Sequence, residues 1–104
     1  MPYFALFYDV VPDHVTRRVP FREEHLRLAQ EAHHRGEIVL AGALTDPIDR
    51  ALLVFRVEER STVEEFVRND PYVIKGLVTR WEIRPWAVVI GDDTPRQPES
   101  RLTR

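Results

Sequence analysis

An α+β domain with element order βαββαβ is what this sequence predicts, and three observations carry that prediction. Four short apolar segments rich in aromatic and β-branched residues occupy residues 3–8, 38–44, 51–57 and 77–90. Two stretches with helical spacing of apolar residues lie between the first and second and between the third and fourth of them. The joints carry proline, glycine and Asp/Asn, which break regular structure. Two split β-α-β units of this kind form a four-stranded antiparallel sheet with both helices on one face, the ferredoxin-like arrangement. A chain of 104 residues makes one such domain.

Taken in order, Tyr3-Phe4-Ala5-Leu6-Phe7-Tyr8 reads as the first strand. Residues 9–19 read as a connection, with His14 in a loop. Pro20 suits the first position of a helix, where its missing N–H would have been unpaired in any case. Glu23 and Glu24 then lie near the positive end of the helix dipole. Phe21, His25, Leu28, Ala29 and Ala32 fall on one helical face, and Gly36 is the expected stop. Residues 45–50 are a turn between the second and third strands. Ser61 followed by Glu64 has the spacing of a capping box and predicts a second helix with Val63, Phe66 and Val67 facing inward. That helix ends near Asn69, because Pro71 disfavours the α conformation at Asp70. The last strand is expected to bend at Pro85. The domain is read as residues 1–90 and residues 91–104 as a loose polar tail.

Helices on one face leave the other face of the sheet bare. The first three strands do not alternate apolar with polar residues, as a half-exposed strand should. Soluble monomers rarely leave so large an apolar patch uncovered. A second copy of the chain is the expected cover, because most soluble oligomers are symmetric, and the expected partner is therefore the chain itself as a homodimer. The tail offers only Leu102 as a large apolar residue beyond Thr94, too little to cover the face instead.

Composition narrows the chemistry. Fifteen basic and seventeen acidic residues are interspersed for a net charge of −2, with no basic stripe for nucleic acid or membrane. The absence of cysteine excludes disulfides, thiolate metal sites and a cysteine nucleophile. No Gly-x-Ser-x-Gly segment and no phosphate-cradling glycine loop occurs, so neither a serine nucleophile nor a nucleotide cofactor is expected. His33-His34 is a poor metal pair, since adjacent helical residues point in different directions. No metal or other cofactor is expected. Met1-Pro2-Tyr3 leads directly into strand without a signal-like segment, and the expected location is the cytoplasm.

Two residues stand out for proton chemistry. His25 shares its helical face with Phe21, Leu28 and Ala32, at the core side or at the rim of a cleft. An imidazole exchanges protons near neutrality. Asp70 directly follows the second helix, where the dipole and the free carbonyls both oppose a carboxylate, so a histidine partner would explain its presence. Each also has a plain alternative: a packed histidine held by one hydrogen bond, and an Asx turn residue. The fold brings the start of one helix near the end of the other, and a His–Asp pair formed there would fix the imidazole tautomer and support proton transfer. Arg22 lies one turn from His25 and could bind a substrate carboxylate; Tyr72 could close the pocket or donate its hydroxyl.

Arg22-Glu23-Glu24-His25-Leu26, Ala41-Gly42, Asn69-Asp70-Pro71-Tyr72-Val73 with Gly76, and Arg84-Pro85-Trp86 resemble the hallmark segments of the YCII-related (YciI-like) family, in order and across about residues 3–90. The resemblance implies a dimeric α/β barrel fold and an active site built on a His–Asp pair, which maps onto His25 and Asp70. It implies an isomerase or lyase working through that pair; a small, carboxylated substrate, with Arg22 and Tyr72 as contacts, is what the residues themselves suggest, against a solvated surface arginine and a packed turn tyrosine. A non-catalytic dimeric module that holds a ligand in the same cleft is the alternative, and a structural protein with a merely packed His25 is a third. The short segment before the third strand departs from the family pattern, with Arg50 where glycine is common, so substrate identity does not carry over.

Overall fold

A computed structural model describes residues 1–91. Strand β1 (Tyr3–Val10) is followed by a helical turn α1 (His14–Arg17), a 3-10 turn (Val19–Phe21) and helix α2 (Arg22–His34). Strands β2 (Ile38–Ala43) and β3 (Arg50–Arg56) form a hairpin, then come helix α3 (Arg60–Asn69), the helical turn α4 (Pro71–Ile74) and strand β4 (Val78–Trp86). All neighbouring strands run antiparallel in the order β2-β3-β1-β4, so the two split units place β1 and β3 at the centre. Pro85 sits inside β4, which its position at the sheet edge permits. Residues 92–104, which hold nearly all of the expected polar tail, lie outside the described residues.

The alternation of β1 decides the layers. Phe4, Leu6 and Tyr8 point to the helix side and meet Leu53 and Phe55 of β3, Ile83 of β4, and Val63, Phe66 and Val67 of α3 in one buried cluster. Phe66 packs edge-on against Phe55 with ring centroids 5.4 Å apart. Helix α2 joins this core less completely. Only Ala32 of its residues is fully buried, while Leu28 and Ala29 are half-buried. Gly36 at φ 83° ends α2 as expected, with the Glu37 N–H returning to the Ala32 carbonyl at 2.9 Å.

Three local expectations are corrected. The connection after β1 contains the turn α1, which buries His14 instead of leaving it in an open loop. Pro20 belongs to the 3-10 turn, and α2 begins at Arg22 with Phe21 as its N-cap. The Ser61/Glu64 capping box does not form. Helix α3 starts two residues earlier, Glu59 is its N-cap, and no side chain caps it. Arg60 inside the first turn instead bonds the Glu64 carboxylate at 3.2 Å and the Ile83 carbonyl at 2.9 Å, tying the helix start to β4.

The other sheet face is mixed. By register, Ala5, Phe7, Leu52, Val54 and Leu40 form its apolar middle, and Asp9, Arg50, Arg80, Glu82 and Arg84 surround it. Asp9 bonds Arg50 at 2.8 Å and pairs with Arg80 at 3.6 Å, and the Arg50 guanidinium lies 5.1 Å from the Phe7 ring centroid. Leu40 is 61% exposed. Among the described residues no helix is long and apolar enough to cross a membrane.

Candidate active site

A cavity of about 480 Å³ separates the N-terminal half of α2 from β2 and β3. Its existence follows from side-chain size. Ala43 and Ala51 continue the cross-strand row that begins at Tyr8, on the side facing α2, and are too small to fill the space beneath the helix. Ala41 lies one row further along. Residues 41–43 are exposed, so the space opens past the edge strand.

Helix α2 carries Arg22 and His25 to this cavity, the junction of α3 and α4 carries Tyr72 to it, and Asp70 stands fully buried behind His25. His25 Nδ1 and Asp70 Oδ1 are 2.9 Å apart. The histidine side chain is 14% exposed and the carboxylate is fully buried. Asp70 is the C-cap of α3, the helix end expected for it, and it is also the N-cap of α4. Its backbone leaves the helical region (φ −78°, ψ 119°), and its carboxylate caps the next turn by accepting the Tyr72 N–H at 3.0 Å. The chain therefore turns at Asp70 through a local cap, and the same carboxylate reaches His25.

Tyr8 completes the group. Its hydroxyl donates to Asp70 Oδ2 at 2.8 Å. Burial, then the Asp70 charge, then this hydrogen bond push the Tyr8 pKa above the usual phenol range, so the hydroxyl remains a donor. Asp70 thus receives Tyr8 O–H, Tyr72 N–H and the His25 ring nitrogen. An ionised carboxylate only accepts, so His25 Nδ1 donates to it, and in the neutral ring Nε2 holds the lone pair. The His25 ring stacks on Tyr72 at 3.8 Å between centroids and 9° between planes. Arg22 Nη1 donates to the Tyr72 hydroxyl at 3.4 Å, which joins all four sequence-predicted residues in one connected group.

Sequence reasoning did not select Tyr8, His14 or Arg18. Tyr8 had a usable signal: it continues the inward alternation Phe4, Leu6, Tyr8 at the strand end nearest His25. A four-residue helical turn is too short to show periodicity, so nothing local marked His14 or Arg18. Both line the cavity with Arg22 and His25. Among the described residues no aspartate or glutamate does, so this lining favours an anion. His33, also on its wall, commits Nδ1 to the Ile38 carbonyl at 2.7 Å. Among the described residues no cluster of three or more His, Cys, Asp or Glu side chains is placed to hold a metal.

Comparison with solved structures shows the same fold in 5-chloro-2-hydroxyhydroquinone dehydrochlorinase from Burkholderia phenoliruptrix AC1100, in complex with 2,5-dihydroxybenzoquinone. The TM-score is 0.70 at 22% identity, over 82% of this chain and 93% of that one. No curated protein matches the chain. A family model described as the YCII-related domain matches residues 1–87, which include every cavity residue named above, and the chain belongs to that family.

Proposed function

We propose that this protein is a small-molecule isomerase or lyase in which His25 moves a proton and Asp70 orients and supports it. The observation that carries this reading is the 2.9 Å contact between His25 and a fully buried carboxylate, at the wall of a cavity lined by Arg18 and Arg22 and, among the described residues, by no acid. His25 Nε2 takes a proton from a carbon next to a carbonyl, and the electron pair moves onto the carbonyl oxygen as an enolate. The pair then returns to carbon. In an isomerisation it captures the proton at another position; in an elimination it expels a leaving group. Neither course calls for a redox partner. Arg18 and Arg22 suit a carboxylate or an acidic enol, and the apolar lining from Leu26, Ala29, Ala43 and Ala51 suits a ring. The dehydrochlorinase of the same fold, whose name describes loss of hydrogen chloride and whose structure holds a dihydroxyquinone, supports a hydroxylated ring as the first substrate class to try.

The test is proton exchange. The protein is incubated in D2O with 5-chloro-2-hydroxyhydroquinone and with a panel of small enolisable carboxylates, and NMR reads deuterium incorporation or chloride release. Turnover on one of them is expected, with a loss of about 10²–10⁴-fold in His25→Ala, the range for removing a general base. Tight binding without exchange or release would make the protein a ligand-holding module instead.

We also propose that the open sheet face pairs with that of a second copy. The apolar middle formed by Ala5, Phe7, Leu52, Val54 and Leu40 supports this, and its charged surround would set the register.

A further inference from the structure

His14 has no place in the chemistry so far, and its surroundings call for one. It is 4% exposed, and its Nδ1 is sealed from solvent without a hydrogen-bond partner. Buried polar atoms in this state are rare, and an orphaned N–H is rarer and more costly than an orphaned acceptor. The proton therefore belongs on Nε2. The ring lines the cavity while Nδ1 is sealed away, so Nε2–H is the group left to meet a ligand. His14 also lies edge-on to Tyr72, 5.1 Å between centroids at 89°, and Tyr72 is the ring on which His25 stacks. Two imidazoles thus share one tyrosine and one cavity with opposite proton placement: His25 keeps a lone pair on Nε2, and His14 keeps a hydrogen there.

We propose that His14 is a second ligand-contacting residue of the cavity, donating Nε2–H to the substrate oxygen on which negative charge develops while His25 holds the abstracted proton. The assignment rests on the proton-transfer reading above and adds an oxyanion donor to it. As the C–H bond breaks, its electron pair moves onto the carbonyl oxygen, the proton resides on His25 Nε2, and the His14 N–H meets the new charge. The pair then returns to carbon to take the proton back or to expel the leaving group.

The groups facing His14 keep it suited to this part. Burial lowers its pKa, its neighbours Arg18, His25 and Arg22 lower it further, and Asp70 opposes them in part. A neutral imidazole donor does not compete with the base for the substrate proton, and the adjacent arginines supply the positive field. The ligand class is then narrower than a carboxylate alone: a ring bearing a carbonyl or enol oxygen beside the reacting carbon, with an acidic group for the arginines.

Nitrogen-15 NMR of the full chain at neutral pH, free and titrated with 2,5-dihydroxybenzoquinone as probe, tests this. The free protein is expected to show His14 with its proton on Nε2 and His25 with its proton on Nδ1. The probe should shift both side chains. His14→Phe keeps a ring against Tyr72 but has no donor, and should bind the probe about 10–100-fold more weakly with His25 still responding, as expected for losing one hydrogen bond to a charged oxygen. His14 protonated on Nδ1, His14 unmoved at saturation while His25 shifts, or His14→Phe binding as tightly as wild type overturns this assignment alone. A probe that moves neither histidine overturns it together with the proposed function. If His14→Phe does not fold, the wild-type titration decides.

Discussion

Asp70 carries two duties at once, and the balance between them can be measured. It caps a helical turn through the Tyr72 N–H and holds the His25 ring, with Tyr8 as its third donor. Tyr8→Phe keeps the ring and deletes only the hydroxyl, leaving a buried carboxylate one donor short. Chemical denaturation should show a loss of about 1–3 kcal/mol. A neutral Tyr8→Phe would mean that water replaces the hydroxyl and that Tyr8 does not support the carboxylate. His14 makes a separate, pH-dependent prediction. Its pKa in the folded chain lies below the ordinary 6.5. Well above that value both folded and unfolded chains hold it neutral, so it adds nothing to the pH dependence. As pH falls through the unfolded value, the unfolded chain takes up a proton that the folded chain refuses, and stability drops until the folded value is passed. His14→Gln should therefore lose less stability than wild type between about pH 7.5 and about pH 5, read by urea denaturation. Equal losses would show that His14 titrates as it does in water.

The two main helices are held by different forces. Helix α3 buries Val63, Phe66 and Val67 against the sheet. Phe66→Ala removes the ring that meets Phe55 and should cost about 3–5 kcal/mol, whereas a nearly neutral result would displace α3 from the core. Ser61→Ala is expected to stay within about 0.5 kcal/mol, because Ser61 caps nothing in the observed helix and surface changes of this kind are small. Helix α2 contributes little to the core beyond Ala32, and its exposed face is laced by Arg27 with Glu24 and Glu31. Exposed pairs of this sort add little stability. Its N-terminal half is thereby left free to border a cavity, and a helix bordering a ligand site is an element whose substitutions should alter binding more than folding.

At the scale of the molecule, the sheet has one face committed to helices and one face with an apolar middle. Sedimentation at micromolar concentration is expected to give the mass of a dimer, and Leu52→Glu, which places a charge in that middle, should shift it to a monomer. A monomer in the wild type would show that the surrounding charges, with Arg50 over Phe7 and paired to Asp9, suffice to cover the face.

Local chemistry in the sequence determined the strands, the stop at Gly36 and the end of α3 before Pro71, because each depends on neighbours within a few residues. His25 and Asp70 were legible as candidates for the same reason: one interrupts an apolar helical face, and the other stands beside a helix-ending proline. Only the tertiary structure decided what those residues meet. The carboxylate reaches across 45 positions to His25 and 62 to Tyr8, and such separations leave no periodic trace. Start signals proved weaker than stop signals. The Ser61/Glu64 pattern was overruled when Arg60 bonded β4, since a cap worth about 1 kcal/mol yields to tertiary contacts. His14 was the least legible residue, because its burial comes from where a short turn lands against α2 and Tyr72, and no local pattern encodes the landing place of a chain.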